Sequence, residues 1–198
     1  MIKAILLIIE PSRTWENILL AQRSLVRVLL LFLTPTILLS VGGELAGIAY
    51  WGRQQGHGVT VQIPQAHLLV YGAVQLVLNF AVVFIAAKMI KSFTGTFQNR
   101  YTYASAFSLV AYCLSPLFLL HLLDALPAIN PWVSYGIGIV LSIATLYNGV
   151  PRMLQPDPPH AFGVFLTSAL MLAGMTALAR LTSLLVIMGP IKEFNPGG

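Results

Sequence analysis

Charge is what this sequence has least of. Only 9% of its 198 residues are Asp, Glu, Lys or Arg, against 57% hydrophobic, and the mean hydropathy is +0.82. A soluble domain carries about 25% charged residues, so a globule exposed to water on all sides is excluded. Cysteine is nearly absent too. The single Cys113 lies in an apolar run, can close no internal disulfide, and leaves the redox compartment open. Signatures of catalysis are also missing. There is no Gly-x-Ser-x-Gly elbow, no phosphate-binding Gly-x-x-x-x-Gly-Lys and no His-Glu-x-x-His. None of His57, His67, His121 and His160 stands at metal-ligand spacing from another His or Cys. The sequence therefore predicts no catalytic residue, no cofactor and no metal. No cleavable leader is expected either. Ile2 to Ile9 is apolar but short, Glu10 and Pro11 follow it, and no small-residue cleavage site is present.

What is there is long runs without charge, at 54–87, 101–123 and 158–179. A bilayer core takes roughly 20 apolar residues per helix, and these runs meet that length. The fold class predicted is all-α, a polytopic membrane protein of five transmembrane helices preceded by a short amphipathic interfacial helix. The spans fall at Val28–Tyr50, His67–Ala87, Tyr103–Leu123, Trp132–Val150 and Phe162–Met188, with Pro131 and Pro151 punctuating the fourth. Residues 1–27 form a cytoplasmic segment, 28–188 the membrane domain and 189–198 an outward-facing tail. The loop "WGRQQGHGVTVQIPQ" is expected to be a surface loop, although its "VTVQI" alternation could pair briefly as a strand.

The formal charge of +5 is not a nucleic-acid signal, because the basic residues sit at the ends of apolar runs. With five spans, Lys3, Arg13, Arg23, Arg27, Lys88, Lys91, Arg100 and Arg152 share one side, and only Arg53 and Lys192 lie on the other. That asymmetry places the N-terminus in the cytoplasm and the C-terminus outside, as for a bacterial inner-membrane protein.

The opening stretch "IIEPSRTWENILLAQRSLVRVLLL" then reads as the gate to the membrane. Ser12 or Thr14 can cap a helix with Glu16 in its first turn. Trp15, Ile18, Leu19, Leu25 and Val26 share one face, with Glu16, Arg23 and Arg27 opposite. A basic amphipathic helix from Thr14 to Arg27 suits the headgroup region, where it anchors the first span.

Charges inside spans cost roughly 2.5–3.5 kcal/mol each, so each one needs an explanation. Glu44, Asp124, Arg180 and His121 are the candidates. At 1.5 Å per residue Glu44, Asp124 and Arg180 lie in the outer third of the bilayer, about 0–12 Å from that interface. Their common depth predicts an ion pair of Arg180 with Glu44 or Asp124 that pins three helices together; the alternative is an outward-opening gate. Gln75 and Asn79, four residues apart in the second span, serve as interhelical hydrogen-bond glue. Gly43 and Gly47 form a Gly-x-x-x-Gly pair for close helix approach. Gly136 with Gly138 and Gly163 with Gly174 offer further small patches, and Tyr101, Tyr103 and Trp132 mark span ends.

Three segments carry a family resemblance. "FTGTFQNRYTYASAFSLVAYCLSPLFLL" (Phe93–Leu120) joins a Gly-containing turn and a Tyr-rich helix start to an internal Ala-Tyr-x-x-x-Pro. Pro11-Ser12-Arg13-Thr14-Trp15 and "LYNGVPRML" (Leu146–Leu154) accompany it. Together they resemble the Yip domain family, five-span proteins named for interaction with Ypt/Rab GTPases, and above all its bacterial branch. The resemblance implies no defined activity, and the expectation is a non-enzymatic membrane scaffold or accessory subunit whose partners are the bilayer and either another membrane protein or a second copy. The long soluble N-terminal region and the Asp-Leu-Tyr-Gly-Pro motif of the eukaryotic branch are missing, so Rab-type GTPase binding is not expected. A small transporter or channel using the charge cluster is the rival reading.

Overall fold

The computed structural model describes residues 2–21, 24–55, 59–95, 102–157 and 159–194. Two short helices, α1 (Ile2–Ile9) and α2 (Pro11–Leu20), precede the bundle. Five long apolar helices follow. They are α3 (Leu25–Trp51), α4 (Gln65–Gly95), α5 (Tyr103–Ala125), α6 (Pro131–Met153) and α7 (Ala161–Phe194). Between α3 and α4, strands β1 (Arg53–Gln55) and β2 (Val59–Val61) pair antiparallel, with Arg53 opposite Val61. The expected surface loop is thus a small hairpin. Gly52 makes it possible, because its φ of +72° is open only to glycine without strain.

The five spans are where the apolar runs put them. Their outward faces carry Leu69, Val77, Leu170, Leu178 and Leu185, all exposed. Surfaces of that kind are stable against lipid and not against water. One helix differs. In α5, 78% of the span window is buried, against 33–39% in the others. It is the axis of the bundle, contacted by α1, α3, α4 and α6, while α7 closes the ring between α4 and α6.

Proline shapes three of the spans. Pro116 cannot donate to the Tyr112 carbonyl, and α5 breaks at Leu114. The Ser115 hydroxyl supplies the missing donor, bonding that carbonyl at 2.7 Å. In α3, Pro35 follows a π-helical turn at Leu29–Leu33, and Thr36 Oγ1 donates to the Phe32 carbonyl at 2.6 Å. Pro131 starts α6 at its first helical position, with the Asn130 side chain accepting from Trp132 N at 2.9 Å. Pro151 lies inside the last turn of α6 instead of ending it.

The opening stretch departs from expectation. Glu10 precedes a proline and is non-helical (φ −129°, ψ 69°), and α2 begins at Pro11, so neither Ser12 nor Thr14 is its cap. Instead the Thr14 hydroxyl donates to the carbonyls of Glu10 (2.8 Å) and Leu6 (3.2 Å), holding α1 against α2. The single helix expected from Thr14 to Arg27 is two: α2 ends at Leu20, Ser24 is extended, and Arg27 belongs to the first turn of α3. Arg23 lies outside the described residues. Trp15 is no headgroup anchor. It is wholly buried, its Nε1 donates to the Thr145 carbonyl at 3.2 Å, and its ring meets Tyr112 edge-on at 6.2 Å. Gly149 makes the room, since a Cβ there would stand 2.6 Å from the indole. Trp15 and Ile18 are buried, and α2 packs on α6.

Candidate functional site

The charged residues inside the spans meet at the hairpin end of the bundle. Close packing brings them together. A Cβ on Gly47 would overlap the backbone of Ala125, and one on Gly43 would stand 2.5 Å from Leu122 Cδ2. The Gly-x-x-x-Gly face of α3 is therefore laid against the last turn of α5. That turn, His121–Ala125, tightens into a 3₁₀ helix carrying Asp124. Glu44 stands between the two glycines in sequence and so reaches the same junction. The other small patches behave differently: Gly138 abuts Leu117, whereas Gly136, Gly163 and Gly174 have no atom within 4 Å of a built Cβ.

Arg180 enters from α7. Its Nη2 donates to Asp124 Oδ2, and its Nη1 lies 3.7 Å from Glu44 Oε1. All three side chains are at most 2% exposed. Glu44 is the hub. Tyr71 Oη donates to its Oε1 at 2.7 Å, Gln75 Nε2 donates to its Oε2 at 2.7 Å, and Arg53 Nη1 stands 3.9 Å from Oε1. Gln75 Nε2 also donates to Tyr71 Oη at 2.7 Å. Two carboxylates thus face two guanidinium groups and the cluster is neutral. Arg53, on β1 with its side chain 17% exposed, forms the roof.

His121 is buried on α5 but stays out of the ion pairs and lines a small cavity beneath them. Among the described residues no three His, Cys, Asp or Glu side chains converge as metal ligands would. Asn79 lines that cavity with Gln75.

Sequence reasoning passed over two members of the network. Tyr71 carried a signal, because Tyr71, Gln75 and Asn79 recur every four residues and share one face of α4. Arg53 carried none beyond its place just after the end of α3; only the hairpin turns it back over Glu44.

Five long apolar helices, four of them around the buried fifth, with charge kept inside, define an all-α polytopic integral membrane protein in contact with the lipid bilayer. The Yip1 domain family model matches residues 5–181, and the chain belongs to that family. No curated protein and no solved structure matches it.

Proposed function

We propose that this chain is a non-enzymatic Yip-type scaffold or accessory subunit of a bacterial cytoplasmic membrane. It works through its helix faces and its basic cytoplasmic segments, on a membrane-protein partner or a second copy. Rab-type GTPases are not expected among its partners. The observation that carries this reading is the neutrality of the Glu44–Asp124–Arg180–Arg53 network: each charge meets an opposite one, and the cavity below measures only about 20 Å³. Many secondary transporters instead place their site near the bilayer midplane between internal repeats, whereas this cluster lies at the hairpin end of the bundle.

Reconstitution into liposomes decides between the two. Proton, sodium, potassium and chloride fluxes are expected to equal those of protein-free vesicles. Flux that disappears with Glu44→Gln would establish the transport reading instead.

Orientation is tested separately. The basic asymmetry supports an N-terminus in the cytoplasm and a hairpin outside. In a Cys113→Ala background, Gln62→Cys is expected to react with an impermeant maleimide added outside intact cells. Glu16→Cys should react only after permeabilisation. The reverse pattern would invert the topology.

A further inference from the structure

The cavity under the ion pairs is lined by Gln75 and Asn79 of α4, Phe118 and His121 of α5, and Thr176 and Arg180 of α7, and its volume is about 20 Å³. Two of these side chains hold polar atoms that no protein group meets. His121 Nε2 and Arg180 Nε have no hydrogen-bond partner among the described residues, although the residues are only 8% and 3% exposed. A buried donor left unmet forfeits its solvation, so an occupant that restores hydrogen bonds is favoured.

Size and charge narrow the occupant. About 10–15 Å³ of such volume admits one water, provided two to four polar partners surround it. A cation would sit beside the Arg180 guanidinium. An anion would find no surplus positive charge, because Arg180 already faces Asp124 and Glu44, and Glu44 also faces Arg53. A neutral molecule that both donates and accepts matches the mixed lining of guanidinium, imidazole, amide and hydroxyl groups. We propose that this cavity binds a single ordered water, held by Arg180 Nε, His121 Nε2 and the amides of Gln75 and Asn79. The water completes the network on the side facing the middle of the helices and ties α4, α5 and α7 together one turn deeper than the ion pairs do.

X-ray radiolysis in detergent micelles tests this, because hydroxyl radicals formed from a bound water oxidise the side chains that touch it. Phe118 lines the cavity at 1% exposed, while Phe107 on the same helix is 0% exposed and away from it. Phe118 is expected to be oxidised several-fold faster than Phe107. Asn79→Leu, which thrusts an apolar side chain into the wall, should bring Phe118 down to the rate of Phe107 and leave the rest of the map unchanged. Equal slow labelling of both rings in the wild type would overturn the proposal, and that comparison decides even if the variant does not fold. Fast labelling of Phe118 that persists in a folded Asn79→Leu protein would also overturn it, since bulk water would then be the source. A bromide anomalous peak in the cavity of a soaked crystal would show an anion site instead.

Discussion

Arg180→Ala is expected to cost about 3–5 kcal/mol of stability, read from unfolding in mixed micelles titrated with SDS. The loss arises mainly from what remains behind. Asp124 and Glu44, each with a side chain 1% exposed, lose the cation between them, and Arg53 forms its ion pair with Glu44 and none with Asp124 among the described residues. Two carboxylates in a low-dielectric interior are then left with one counter-ion at the rim. A double-mutant cycle isolates the pairing. In the Arg180→Ala background, Asp124→Asn should cost less than it does in the wild type, with a coupling of about 0.5–3 kcal/mol. Glu44→Gln should couple more weakly, because Arg180 stands 3.7 Å from Glu44 and the carboxylate keeps Tyr71, Gln75 and Arg53. Strictly additive losses would refute the pairing. The coupling should also survive high salt, since screening acts on exposed charges and far less on buried ones.

Trp15→Ala should be comparably severe, at about 3–5 kcal/mol, as for a large aromatic removed from a packed interior. The indole fills the space above Gly149 and beside Leu109 and Tyr112, and its N–H satisfies the Thr145 carbonyl. A headgroup anchor would behave otherwise, since its truncation leaves no cavity in the protein. Fluorescence separates the two descriptions independently of stability. Trp51 and Trp132 are 54% and 46% exposed, so Phe at both leaves Trp15 as the sole emitter. Its emission should be blue-shifted and poorly quenched by acrylamide. Ready quenching would return Trp15 to the membrane surface.

The contrast between Arg180 and Trp15 shows what a sequence of this kind reveals. The spans were legible because a bilayer demands about 20 predominantly apolar residues per helix, and five segments met that demand. The common depth of Glu44, Asp124 and Arg180 was legible for the same reason: rise per residue converts position into height. Direction around a helix axis was not. In lipid both the protein-facing and the lipid-facing sides are apolar, so periodicity could not tell that Trp15 turns inward, nor that Gly47 meets a backbone while Gly174 meets nothing. The break between α2 and α3 was hidden by a helical pattern that ran on through it. Arg53 needed the hairpin, and the hairpin hung on one positive φ at Gly52.

The last helix also gives the bundle a sequence in time. Spans are made in order from the N-terminus, and Arg180 follows Asp124 by 56 residues. While α7 is still unmade, two acids already sit at the junction of α3 and α5 with Arg53 as their nearest cation. The arrival of α7 is then a clasp rather than an addition. A nascent chain stalled before residue 180 carries two acids inside the bilayer with Arg53 as their one counter-ion, a physical mark by which unfinished copies differ from finished ones.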